Sequence, residues 1–275
     1  MKHVYLIMKK TLQISNGLAL LATIFINYLS NTGKINNTTI GEVSNQYNSL
    51  FTPAGYAFSI WGFIYLLLLG FIVYQGRSLF VKTSSNHDFI LKTGWWFVIS
   101  CIANSAWVFS WLYEYTGLSC IFIFILLFAL LKIVLNNAME LWDAPITTIV
   151  FVWWPFTFYS GWVTVASIAN VSSYLVKINW NGFGVSDVTW TLIMIGIATL
   201  INLWVTWKRN MREFALVGAW ALIAIAVANK DTHTSIFYMA IITAIIIIIS
   251  SSVHGYKNKA TSPLIKYKQY KVSKV

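Results

Sequence analysis

The feature that most constrains the fold of this chain is a series of eight apolar runs, each close to the length that crosses a lipid bilayer. A membrane-spanning helix needs about 20 predominantly apolar residues. The runs cover residues 12–29, 54–75, 90–112, 117–137, 146–175, 187–207, 214–229 and 234–253. Because 58% of the 275 residues are hydrophobic and only 10% are charged, a soluble fold would leave much apolar surface in water. The sequence therefore predicts an all-α integral membrane protein of about eight helices.

The distribution of Lys and Arg predicts the orientation of these helices, since cytoplasmic loops carry an excess of both residues. With a cytoplasmic N-terminus, 16 of the 19 basic residues fall on the cytoplasmic side, and only Lys34, Lys177 and Lys230 fall on the other. Eight spans with both termini cytoplasmic fit this pattern better than seven. The basic loops favour a bacterial inner (plasma) membrane. The first run also resembles a signal peptide, but no small-x-small cleavage site follows it, and its removal is left open.

Several kinds of chemistry find no support in the sequence. The acidic residues all lie at or beyond the ends of the apolar runs, whereas catalytic or proton-coupled membrane proteins keep ionisable residues at bilayer depth. The four histidines and two cysteines show no metal-ligand spacing. The net charge of +11 is spread over the ends of the runs, which argues against a nucleic-acid partner. Two kinds of function remain: the binding of an apolar or flat aromatic ligand, and a structural role.

Neutral polar residues inside the spans lie at helical spacing from tryptophans. The three sets are Trp61 with Tyr65, Asn104 with Trp107, and Trp162 with Ala166 and Asn170. An Asn in hydrocarbon must find a partner or face a cavity, so Asn104 and Asn170 are expected to point into the bundle. Each set alone is typical of helix packing, whereas three sets on three spans favour a ligand pocket. Both interpretations stay open.

These sets also resemble the motifs of the TspO/MBR family, the translocator-protein or tryptophan-rich sensory proteins. The run TPAGYAFSIWGFIY is similar to the second-helix motif of that family, with Pro53, Trp61 and Tyr65 at matching positions. Asn104 and Trp107 match the third-helix Asn-x-x-Trp motif. The run WVTVASIAN matches the fifth-helix motif with the Trp, Ala and Asn named above. The motifs occur in the family's order within roughly residues 10–180.

The chain departs from the family pattern at three positions. Thr52 stands in place of the first proline of a pair, Ser59 stands where a proline is usual, and Pro155 lies three residues too early. The second helix is expected to begin at Pro53, whose missing N–H costs nothing in the first turn. The polar loop from Ser30 to Leu50 is either a lid over the pocket mouth or an ordinary flexible loop.

The resemblance implies a division of the chain into three parts. Residues 1–180 would form a TspO-like five-helix bundle, residues 181–254 would add three transmembrane helices, and residues 255–275 would form a basic cytoplasmic tail. It also implies a receptor or sensory-type protein that binds a flat hydrophobic ligand in an aromatic pocket. That ligand would be a porphyrin or another tetrapyrrole, haem-like molecules included, or a sterol-like lipid.

The implied ligand-binding residues are those of the matched motifs: Pro53, Trp61, Tyr65, Asn104, Trp107, Trp162, Ala166 and Asn170. No cofactor, catalytic residue or metal is required. Some relatives are associated with light-dependent porphyrin breakdown, so enzymatic activity is left open. The implied partners are the lipid bilayer and a hydrophobic small molecule, and a homodimer is left open. The alternatives are a transporter of a small apolar substrate, or a structural protein whose tryptophans only pack.

Overall fold

The computed structural model describes residues 2–80, 88–259 and 262–272, and the regular structure within them is helical. The first half of the chain contains α1 (Lys2–Ser30), α2 (Ile40–Gln46), α3 (Ile60–Phe80), α4 (Asp88–Thr93), α5 (Trp96–Leu112) and α6 (Thr116–Asn136). The second half contains α7 (Ile146–Thr148), α8 (Trp154–Lys177), α9 (Asp187–Arg209), α10 (Arg212–Asn229), α11 (Thr234–Lys257) and α12 (Pro263–Val272).

The predicted all-α membrane fold is confirmed. Seven described helical segments are long and apolar enough to cross a membrane. The third predicted span is broken into α4 and α5 because Gly94 adopts a left-handed φ of +54°. α5 has 17 residues and is about 25 Å long, so α4 supplies the remaining turns of this pass. The described helices therefore make eight passes, and α1 begins on the side of the bundle where α11 ends.

Helix α8 is the centre of the bundle. It packs against α3, α6 and α10. Gly161 allows the contact with α10, because a Cβ at this position would lie 2.9 Å from the backbone oxygen of Phe214. The span that contains α8 starts with α7 and continues through a π-helical turn at Ile149–Trp153, just before Pro155. This turn accommodates the proline, whose N–H cannot join the helical ladder.

The loop between the first two spans is folded against the bundle, as the lid interpretation requires. Helix α2 has a capping box in which the Thr39 hydroxyl accepts from Glu42 N and the Glu42 carboxylate accepts from Thr39 N. Asn36 Nδ2 donates to Leu112 O at 2.8 Å, and Trp111 Nε1 donates to Ile40 O at 3.2 Å. These bonds attach the loop to the end of α5.

The expected helix start at Pro53 is wrong. The helix begins two residues later, with a 3₁₀ turn at Gly55–Ser59 that leads into α3. The backbone N–H of Ala54 is taken out of the helix because it donates to Ala224 O of α10 at 3.0 Å. Pro53 therefore lies in the extended segment before the helix, and the bond from Ala54 to α10 fixes where the turn starts.

The basic loops and the C-terminal segment lie together at the end of the bundle opposite α2. Lys266 of α12 pairs with Asp143 at 2.6 Å, and Asn210 Nδ2 donates to Glu140 O at 2.8 Å. Residues 255–257 still belong to α11, so the segment expected to be a tail begins inside a helix. Lys82 and Lys274, which the charge argument counts on this side, lie outside the described residues.

Candidate functional site

A small, partly open cavity lies beneath α2, between α3, α5, α6 and α8. Its volume is about 50 Å³. Six of the residues predicted from sequence line it: Pro53, Trp61, Trp107, Trp162, Ala166 and Asn170. The structure thus brings together residues that are more than 100 positions apart in the sequence.

Four tryptophan rings line the cavity. Trp107 and Trp111 stack with their ring centroids 6.0 Å apart and their planes 19° apart. Trp61 meets Trp162 edge to face at 6.4 Å, and Phe58 meets Trp162 at 6.0 Å. Edge-to-face and offset contacts of this kind fix ring orientations. The cavity therefore has flat, apolar walls set at defined angles.

Asn170 orients one of these rings. Its Oδ1 accepts from Trp107 Nε1 at 2.6 Å, and its Nδ2 donates to Ser119 Oγ at 2.8 Å. Because the amide is buried, this pairing removes the cost of an unpaired polar group. Trp162 is different: its indole Nε1 is buried and has no acceptor among the described residues.

Tyr65 and Asn104, the other two predicted site residues, do not line the cavity. Tyr65 stacks on Trp61 at 5.6 Å, behind the cavity wall. Asn104 accepts from Asn27 Nδ2 at 2.7 Å and donates from Nδ2 to Tyr159 OH at 3.0 Å. These bonds join α1, α5 and α8, so Asn104 fixes helices that carry the wall.

Sequence reasoning missed several lining residues. Trp111 was recognisable, because it lies one turn after Trp107 on the same face of α5. Phe58 lies among the aromatics that precede Trp61. Ile40 and Ser44 of α2 carry no such signal, because they come from a polar loop whose position depends on tertiary contacts.

The lining is electrically neutral. Among the described residues that line the cavity, none is charged and none is His, Cys, Met or Tyr. The lining residues that carry polar groups are Trp162 (indole N–H), Asn170 (amide) and Ser44, Thr52 and Ser173 (hydroxyls). Such a site can stack on a flat ring and form a few neutral hydrogen bonds.

Comparison with known proteins agrees with this architecture. No curated protein and no solved structure matches the chain. The family model described as TSPO-like protein matches residues 13–253. The match starts in α1 and ends in α11, so it continues beyond residue 180 through the last three spans. The chain is therefore an integral membrane protein that belongs to the TSPO-like protein family.

Proposed function

We propose that the tryptophan cavity binds a flat hydrophobic ligand, a tetrapyrrole or a sterol-like lipid, and that the protein acts as a membrane receptor or sensor for it. The observation that carries this proposal is the convergence of four tryptophans on one cavity, one of which, Trp162, has an unpaired indole N–H. Family membership is in keeping with a membrane ligand-binding protein.

The arrangement of the wall supports a flat ligand over a flexible one. A planar ring gains stacking contact on an indole face without losing internal rotational freedom. The N–H of Trp162 supplies one donor for an acceptor on the ligand, and Asn170 is held in place by Trp107 and Ser119. Stacking and one or two directed hydrogen bonds are typical of a small-molecule site.

Binding requires the cavity to open. Pockets for drug-sized ligands have volumes of about 300–1,000 Å³, well above the 50 Å³ of this cavity. Helix α2 contributes Ile40 and Ser44 to the roof, and the hydrogen bonds that attach the loop to α5 are a buried one from Trp111 Nε1 to Ile40 O and a half-buried one from Asn36 Nδ2 to Leu112 O. Outward movement of this loop would enlarge the site without disturbing the helices that carry the tryptophans.

The lining also bears on whether a haem-like ligand fits. A haem iron in a protein is usually held by His, Cys, Met or Tyr. None of the described lining residues is of these types. The residues fit the flat ring of a tetrapyrrole but offer no axial ligand to its metal, which favours a metal-free porphyrin.

The proposal can be tested by titrating the detergent-solubilised protein with protoporphyrin IX and following tryptophan fluorescence. We expect saturable quenching. Trp107→Phe and Trp162→Phe should each weaken the apparent affinity about fivefold, because each removes part of a stacking surface. Trp204→Phe is the matched control, since Trp204 lies on α9 with 61% of its surface exposed.

Linear quenching that neither cavity substitution changes would contradict the proposal. The chain would then be a TSPO-like membrane protein without that ligand, and transport of a small apolar substrate would become the hypothesis to test. An equal loss of affinity in Trp204→Phe would also count against the cavity, because it would indicate adsorption of the porphyrin on the outer surface.

A further inference from the structure

A second and much larger cavity, an open groove, lies between α8 and α9, away from the tryptophan cavity. Its volume is about 1060 Å³. The two helices follow each other in the chain, yet α9 packs on α10 and α11, whereas α8 packs on α6 and α10. A groove therefore remains between them, with residues of both helices on its walls.

The α8 wall is a continuous stripe. Its residues recur at helical spacing from Thr164 to Val176, which corresponds to about 18 Å along the helix axis. A bilayer is about 40–45 Å thick with its head groups, so this length matches one leaflet. The groove thus has the length of a single lipid molecule lying parallel to the helices.

Hydroxyl groups in the walls do not make the groove polar. Thr164 Oγ1 donates to Ser160 O at 2.8 Å, and Ser167 Oγ donates to Val163 O at 2.7 Å. Thr191 Oγ1 on the α9 wall donates to Asp187 O in the same way. Because these donors are used within their own helices, the walls suit a hydrocarbon chain.

The mouth of the groove has a different chemistry. The rings of Trp180 and Trp190 lie 5.4 Å apart, and Trp190 is fixed because its Nε1 donates to Gly182 O at 2.9 Å. Asp187 lies one turn before Trp190 on the same face of α9 and also lines the groove. Its carboxylate has no cationic partner among the described residues, whereas Lys177 pairs with Glu114 and Lys230 with Asp231.

We propose that this groove binds a phospholipid with an ammonium-bearing head group. One acyl chain would lie along α8, and the ammonium would lie between Asp187 and the Trp180–Trp190 pair. Indole faces attract ammonium ions, and a carboxylate adds a charge-assisted hydrogen bond or a direct ion pair. The site is distinct from the tryptophan cavity and does not depend on the function proposed for it.

The test is a titration of the full-length protein in detergent with two lipids of identical chains, phosphatidylethanolamine and phosphatidylglycerol, followed by native mass spectrometry. We expect phosphatidylethanolamine to bind about fivefold more tightly, because only its head group carries an ammonium. Asp187→Asn should abolish this preference. Asp231→Asn is the matched control: it removes an acid at the same end of the bundle, outside the groove, and should leave the preference intact.

The contact between the groove and the acyl chain of the lipid is tested separately. Val171→Trp and Met194→Trp fill the groove from opposite walls, so each should lower the affinity for both lipids. If one of them fails to fold, the other still gives the answer. Equal binding of the two lipids by the wild-type protein would overturn the proposal, as would tighter binding of phosphatidylglycerol. Unchanged binding by a folded groove-filling variant would overturn it too.

Discussion

Glu140 is the residue whose environment departs most from what its position in the sequence suggests. It belongs to the loop between α6 and α7, yet it is largely buried against the ends of α9 and α10. Burial and, to a smaller extent, the nearby Glu213 carboxylate raise the pKa of Glu140 to about 8, while Arg212 acts in the opposite direction. One oxygen of each glutamate is buried without a hydrogen-bond partner among the described residues. A proton on Glu140 would neutralise its carboxylate and remove the repulsion between it and Glu213.

The buried environment of Glu140 predicts that the free energy of unfolding falls as the pH rises. The folded-state pKa lies above the usual value of 4.5, so the folded protein keeps a proton that the unfolded chain releases. The resulting stabilisation is fully present below about pH 4.5 and is lost as the pH rises through about 8, at up to about 1.4 kcal/mol per pH unit. Glu140→Gln should therefore flatten the decline in Tm between pH 5 and 9, measured in detergent.

Asp231→Asn serves as the control for this measurement, because Asp231 is exposed at the other end of the bundle. It should reproduce the wild-type pH dependence. If Glu140→Gln and the wild type declined in parallel, the titration of Glu140 would not be the cause of the pH dependence.

At the scale of the helices, the contact between α8 and α10 joins the first five spans to the last three. Gly161 is the point of closest approach, since a Cβ there would lie 2.9 Å from Phe214 O and 3.2 Å from Val217 Cβ. Backbone atoms cannot rotate away as a side chain can. Gly161→Ala should therefore force the helices apart and destabilise the protein by about 1–3 kcal/mol.

The comparison for this prediction is Gly62→Ala in α3, where no atom lies within 4 Å of the added Cβ. That substitution should be neutral or slightly stabilising, because Ala is a better helix former than Gly. Reaction of the buried Cys101 with a thiol-reactive dye during heating reports unfolding of both variants. Equal midpoints for the two variants would show that the α8–α10 contact is not tightly packed.

Helix α10 also positions the roof of the tryptophan cavity. Its Asn229 side chain donates to Leu50 O at 2.9 Å, and its Ala224 oxygen accepts from Ala54 N. Trp220 meets Tyr56 edge to face at 5.3 Å. The loop that covers the cavity is thus held by α10 at one end and by α5 at the other, which gives α10 a structural role in the site.

The same helices show which features of the fold can be predicted from the sequence and which cannot. Apolar length placed the spans within about five residues, because a bilayer imposes that length on every crossing helix, except that α1 begins at Lys2, before its apolar run at 12–29. Helical spacing grouped Trp162, Ala166 and Asn170, since one helix fixes their common face. The roof formed by α2 and the groove between α8 and α9 depend instead on contacts between distant segments, which a single sequence does not encode in any periodic pattern.

At the scale of the whole molecule, the charge asymmetry becomes a prediction about orientation. Of the 17 Lys and Arg residues that the structure describes, 14 belong to one side of the eight-pass arrangement, the side where α1 begins and α11 ends. Cytoplasmic loops retain such charges during insertion. The roof loop with α2 and the turn between α10 and α11 should therefore face away from the cytoplasm, and α12 should face towards it.

Single cysteines test this orientation after Cys101 and Cys120 are replaced by serine. A membrane-impermeant maleimide applied to intact cells should label Asn45→Cys in α2 and Thr232→Cys in the α10–α11 turn, since both positions are exposed at the same end of the bundle. Gln269→Cys in α12 should react only after the membrane is permeabilised. Labelling of Gln269→Cys in intact cells would reverse the predicted orientation. Labelling of only one of the first two positions would contradict the eight-pass arrangement, because an even number of crossings must place them on the same side.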